Sequence, residues 1–367
     1  MRGLTSLLRN ICRLLIATFI ASAALAQEPS STLLALSKDD HTVAVVDPTT
    51  LQVLARIPSG PDPHEIIASD DGKFAYISNY GGSDSSLNTI SVVDLVARKA
   101  LPPIDLGALR STHGLAFAGG KLYFTAETNK VIGRYDPATQ RVDWILGTGQ
   151  DRTHMIAVAK SLDRIITSNV NSGTISISEQ VSQPNGGFGP PPGGPPPPGP
   201  GPQGSGPPPG GPHQTWEVTN VPAGRGTEGF DVTPDGKEIW AANARDATVT
   251  IIDVAAKKAT HTISIPVKGA NRLKFTPDGA LVLISGLGAR AGDSSLVVLD
   301  AATHKVVKQL NLGGGAAGIL IAPDGSRAYV AVSGADKIAV VDLKTLEVVG
   351  QIDAGKQPDG LAWAVRK

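Results

Sequence analysis

Short β-branched runs that end in aspartate and a turn recur along the chain: VAVVDPTT (Asp47), ISVVDLVA (Asp94), IGRYDPAT (Asp136), VTIIDVAA (Asp253), LVVLDAAT (Asp300) and IAVVDLKT (Asp342). Successive aspartates lie 47, 42, 117, 47 and 42 residues apart. The long interval holds a degenerate copy, ISISEQVS, whose Ser178 falls 42 residues after Asp136, so there are seven copies and one insertion. Each copy runs in the same order: a Gly-containing loop, an apolar segment, a turn such as SDDG, TPDG or APDG, a second strand such as AYISN or EIWAAN, the VVD strand, and an outer strand. Period-two alternation with Gly, Asp and Asn turns, and no helix-length 3.6-residue pattern, predicts an all-β chain. Four short strands per repeat of this length make a propeller blade, so the pattern predicts a seven-bladed β-propeller over residues 31–366.

The two ends predict how the ring closes. PDGLAWAV, from Pro358 to Val365, matches only a first strand, and LLALS, from Leu33 to Ser37, matches only a second. Pairing them completes one blade and removes two open strand edges. Segments such as RAYVAVSGADKIAVVDLKTLEVVGQIDAGKQPDGLAW resemble the YVTN-repeat β-propeller family, which includes exported YncE-like and surface-layer-associated proteins. That resemblance implies the same fold and a cell-envelope setting, but it fixes fold far better than function.

Residues 1–26 change the picture of composition. They combine Arg2, Arg9 and Arg13, an apolar run from Leu14 to Leu25, and Ala24 and Ala26 before Gln27. This reads as a cleaved secretory signal and predicts a soluble periplasmic or secreted product, with no membrane span after cleavage. The whole chain of 367 residues has 33 Lys+Arg against 33 Asp+Glu, and loss of the signal leaves 30 against 33, a net charge of −3. That balance, without a basic stripe, excludes an electrostatic nucleic-acid binder. The only cysteine, Cys12, leaves with the signal, which excludes disulfides, Cys-ligated metals and a Cys nucleophile. A monomer is expected, with an unknown small ligand or envelope protein as partner.

The insertion, 184–212, holds 14 Pro and 11 Gly among 29 residues. It is expected to be disordered: either a bland exposed loop or a Pro-rich ligand for an aromatic groove. It separates the third strand of one blade from its outer strand, so it should emerge opposite the loops that join successive blades.

Chemistry is sought where those joining loops converge on the axis. Aligned as PDPHEI, RSTHGL, DRTHMI, RGTEGF, KGANRL, GGAAGI and KQPDGL, they place His64, His113, His154, Glu228, Asn271, Ala317 and Asp359 at one position. Three imidazoles and a carboxylate there are a candidate site for zinc, copper or manganese, with His64, His113 and His154 as ligands and Glu228 as fourth ligand or general base. The bland alternative is a polar channel lining. Arg110, Arg152, Arg225, Lys268 and Lys356 stand two or three residues upstream, either as solvated rim charges or as a collar for an anionic ligand alongside Asn271 and Asp359. Loops between second and third strands open on the same face and carry Asn79, Tyr80, Asp84, Glu127, Asn129, Lys130, Asn169, Asn171, Asn243, Arg245, Asp246, Arg290 and Asp293. They are candidate entrance walls or plain turn formers. Trp144, Trp216, Trp240 and Trp363 fall in strand patterns and are expected in the core.

Three functions therefore stand side by side: a ligand-binding or protein-interaction scaffold with its site at the axial end of these loops, a metal-dependent lyase or hydrolase, and a structural envelope protein.

Overall fold

The repeated aspartates cap tight turns, which is why they mark the period. Asp47, Asp94, Asp136, Asp300 and Asp342 each accept a hydrogen bond from the backbone N–H two or three residues on, at 2.8–2.9 Å. Asp235, Asp278 and Asp324 cap the turns between first and second strands in the same way. The computed structural model describes residues 31–81, 86–183, 213–290 and 292–367; the expected signal 1–26, Asp84 and the insertion 184–212 lie outside them.

These turns fold the chain into seven four-stranded antiparallel sheets. Blades 1 to 6 begin at the innermost strands Pro63–Ala68, Thr112–Ala118, Thr153–Val158, Thr227–Val232, Ala270–Phe275 and Ile319–Ile321, and each continues outward in chain order. Blade 7 takes its innermost strand, Pro358–Val365, from the C-terminus and pairs it with Ser31–Ser37. Each innermost strand contacts the next and the last contacts the first, so the ring closes as the ends of the sequence predict. There is no α-helix among the described residues, only the short 3-10 turn Ser333–Ala335, and no helix long and apolar enough to cross a membrane.

The core lies between blades. Ile66, Ala75, Ile77 and Val93 of blade 1 pack against Leu34, Leu36, Val43, Val45 and Ile57 of blade 7, and equivalent clusters fill the other gaps. Because each blade is covered on both faces, strands such as FAYISN are buried along nearly their whole length instead of alternating in and out. Of the four tryptophans, Trp240 is fully buried; Trp144 and Trp216 are half-buried on outer strands, and Trp363 is half-buried on the innermost strand of blade 7. Asn79, Asn169 and Asn243 do not wall an entrance. Each is buried and donates its amide to hydroxyls on the third strand, namely Thr89 and Ser91, Thr174 and Ser176, or Thr248 and Thr250.

One distortion recurs at the inner strands. Ladder register shifts between Pro63 and Ile66, Thr112 and Leu115, Thr153 and Ile156, Thr227 and Phe230, and Ala270 and Leu273. Blade 7 shows the same shift across Pro358 and Leu361. The two residues skipped in each case are the aligned residue and its successor, so a β-bulge re-aims the aligned side chain toward the axis. Two residues upstream the backbone is left-handed in six blades, at Asp62, Ser111, Arg152, Gly226, Gly269 and Gln357.

In blades 2, 4, 6 and 7 the successor is glycine, pressed against the next blade. A Cβ on Gly229 would lie 2.5 Å from the Asn271 carbonyl oxygen, and one on Gly318 would lie 2.3 Å from that of Asp359. Gly229→Ala and Gly318→Ala should each lower unfolding free energy by about 1–3 kcal/mol in urea titrations, since backbone must move. Gly147→Ala, where a Cβ meets nothing within 4 Å, should be near neutral.

Candidate functional site

The bulges of blades 1, 2 and 3 bring their three histidines into one row. His64 and His113 have ring centroids 5.1 Å apart, and those of His113 and His154 are 3.7 Å apart. Tyr80, from the loop after the second strand of blade 1, closes the row with ring centroids 4.8 Å from His64 and 5.3 Å from His113.

His154 is held on both ring nitrogens. Its Nδ1 meets Glu127 Oε1, and its Nε2 lies 2.9 Å from Glu228 Oε2. The other oxygens of the two carboxylates are also engaged: Tyr80 donates to Glu127 Oε2 at 2.6 Å, and Arg152 lies 3.4 Å from Glu127 Oε2 and 3.5 Å from Glu228 Oε1. His113 is different. It is 2% exposed, and its Nδ1 is buried without a hydrogen-bond partner. Leaving a buried polar atom unsatisfied is costly. One ligand atom each from His113, Glu127 and His154 lies within 4.8 Å of the others.

His64 belongs to a separate group at the blade 1–blade 7 junction. Its Nε2 lies 2.8 Å from Lys38 Nζ and 3.1 Å from Asp62 Oδ1, and its Nδ1 is 3.6 Å from Asp359 Oδ2. The expected grouping of three histidines with Glu228 is thus split: His113 and His154 share a donor cluster with Glu127, while His64 stacks beside them with other partners. Glu228 pairs with His154 and Arg152, and Ala317 contributes no polar group.

Across the axis, Asn271 contacts Arg272, whose buried guanidinium reaches Glu65 Oε1 at 2.6 Å. The sequence carried a signal for this pair: Glu65 and Arg272 are charged at the position where four other blades have glycine. Glu127 was visible only as one loop residue among many.

Of the five upstream cations, only Arg152 turns inward. It stands two residues before the aligned position, at the left-handed residue, whereas Arg110, Arg225, Lys268 and Lys356 stand three before and point out. Arg110 donates to Ser86 O, Arg225 pairs with Asp246, and Lys268 pairs with Asp293. Lys356 is exposed. The structure therefore forms no collar of five cations.

Charge settles what the axis favours. Among the described residues, Asp62, Glu65, Glu127, Glu228 and Asp359 face three fixed cations, Lys38, Arg152 and Arg272. Burial, together with the neighbouring His154, His64 and two arginines, holds His113 well below the ordinary histidine pKa, so its ring is neutral. Burial works against a charged His154, but hydrogen bonds to Glu127 and Glu228 outweigh it and raise its pKa. Burial also opposes ionised Glu228, yet His154, Arg152 and Arg272 pull its pKa down to about 2.

No protein-family model and no curated protein sequence matches the chain. Solved structures do match in fold. A functionally unknown protein from Desulfotomaculum acetoxidans superposes with TM-score 0.68 at 11% identity, covering 92% of this chain and 99% of its own. Kuenenia stuttgartiensis hydrazine synthase gives TM-score 0.63 at 16% identity over 82% and 89% of the two chains. The dihydro-heme d1 dehydrogenase NirN, in complex with DHE, gives 0.60 at 15% identity over 91% and 75%. At such identities these neighbours establish the propeller and nothing about its chemistry.

The lowered pKa of Glu228 predicts a pH dependence for metal-free protein. A depressed carboxylate contributes stability fully above its ordinary value of 4.5 and loses it as pH falls toward about 2. The contribution is on the order of 3 kcal/mol. Denaturant titrations between pH 7 and pH 2 should show that loss, and Glu228→Gln should remove about 3–5 kcal/mol at pH 7 and flatten the dependence in this window.

Proposed function

We propose that the protein is a binding propeller that holds one divalent transition ion at its axis. The observation that carries this reading is His113, whose Nδ1 is buried without a partner among the described residues and whose ring offers a ligand atom within 4.8 Å of atoms of Glu127 and His154. Two imidazoles and a carboxylate are a donor set for borderline ions, zinc foremost, and leave positions open for a further ligand. The charge excess supports it, since five carboxylates against three fixed cations leave two negative charges for a divalent ion to balance.

In this reading His113, Glu127 and His154 would hold the ion, which would supply a Lewis-acid centre with positions open to a further ligand. Glu228 keeps its bond to His154 Nε2, which fixes the ring tautomer, while Tyr80 and Arg152 orient Glu127. Glu228 then positions a ligand instead of serving as fourth ligand or base. His64, Asn271 and Asp359 stay outside the donor set, held by Lys38, Arg272 and one another. The repeat resemblance and residues 1–26 support an exported, cell-envelope setting for this binding role.

Elemental analysis of protein purified without chelator should give about one zinc, copper or manganese per chain. His113→Ala and Glu127→Gln should each lose it, while Arg110→Ala should keep it. Saturating metal should stabilise the wild type by about 2.7 kcal/mol at a hundredfold excess over Kd, an increment that a chelator removes. A folded wild type that binds none of these ions, or a His113→Ala variant that binds as well, would overturn the reading.

A further inference from the structure

A second feature lies on the opposite face. A groove of about 920 Å³ opens between the outer parts of blades 1 and 2. Its walls are Phe74, Tyr76, Phe117 and Tyr135, with Pro102 and Pro103 along one edge. Tyr76 and Phe117 stack with ring centroids 5.6 Å apart and planes 13° apart. Its floor includes Ser69 to Asp71 and its rim Pro137, Ala138 and Gln140, which are turns on the side away from the axial site. Neither the Tyr76 nor the Tyr135 hydroxyl has a hydrogen-bond partner among the described residues, and burial pushes the Tyr76 phenol up to about 12, so it stays a donor.

Aromatic walls with free phenol donors are the chemistry that takes a polyproline strand, which offers flat rings and carbonyl acceptors and little else. We infer that the groove is a docking site for the Pro/Gly segment 184–212 of the same chain. Three observations favour this occupant. The segment leaves blade 3, next to blade 2, from the paired residues Gln183 and His213 at the far end of a hairpin on the groove's side of the ring. Trp216, three residues beyond His213, packs on Trp144 of the outer strand of blade 2 at 5.4 Å, while Arg134 lies 5.8 Å over Trp144, so the exit is pinned to the blade that forms one groove wall. Finally, half of the 29 residues spans on the order of 40 Å as polyproline, against a blade spacing of about 10 Å. The segment is uncharged, and the nearby Asp70, Asp71 and Asp105 are already engaged by Gly120 N–H, by Ser69 and Lys73, and by Asn88, so no charge is stranded. This site is independent of the axial metal reading.

The test titrates a synthetic peptide of residues 188–202, FGPPPGGPPPPGPGP, by calorimetry into the full chain and into a chain with 184–212 replaced by Gly-Gly. The shortened chain should bind the peptide. The full chain should bind it at least about tenfold more weakly, because a tethered competitor acts at millimolar effective concentration. Ala138→Arg, at an exposed groove residue, should weaken the peptide about tenfold in the shortened chain without altering its unfolding midpoint. No binding to the shortened chain, equal binding by both chains, or indifference to Ala138→Arg would overturn the proposal. Concentration-dependent dimerisation of the full chain that the shortening abolishes would also overturn it, in favour of a second copy as occupant.

Discussion

Everything at the axis depends on a crowding constraint. Seven innermost strands meet there, and six of them, all but that of blade 6, carry a bulge that turns one side chain inward. In four blades the residue beside it is glycine, because a Cβ would strike the neighbouring backbone. Crowding removes water, and without water the charges must satisfy one another. His154 between two carboxylates, Arg152 across their far oxygens, and Arg272 reaching Glu65 are the outcome. His113 is the member left over, neutral, buried and unpartnered at Nδ1. A polar group left in that state beside a cluster with excess negative charge is the physical basis for assigning a cation to the site.

The fold was almost wholly legible in the sequence, since its signals are local. The aspartates that mark the repeat cap turns within three residues, and the split blade follows from which strand types the two ends match. The aligned inward position was legible too, because the bulge occurs at the same place in six of the seven repeats.

The partners at the site were much less legible, because they are set by contacts between blades. Glu127 sits in a loop of variable length, so no repeat position singles it out, yet it holds His154, Tyr80 and Arg152 together. Among the upstream cations, a one-residue difference decided direction: Arg152 occupies the left-handed position two before the aligned residue and turns in, while the four placed one residue earlier turn out. Counting those positions separately would have isolated it. His64 shared its repeat position with two site histidines but met Lys38, Asp62 and Asp359, because blade 7 and its own entry loop, not blade 2, supply its polar neighbours.

The measurement that bears most directly on this account is anomalous diffraction at the zinc edge from crystals of the protein grown with zinc. The account predicts one axial peak at about 2.0–2.2 Å from a ring nitrogen of His113, a Glu127 oxygen and a ring nitrogen of His154. An axis without a peak, or a peak held by other residues, would contradict it.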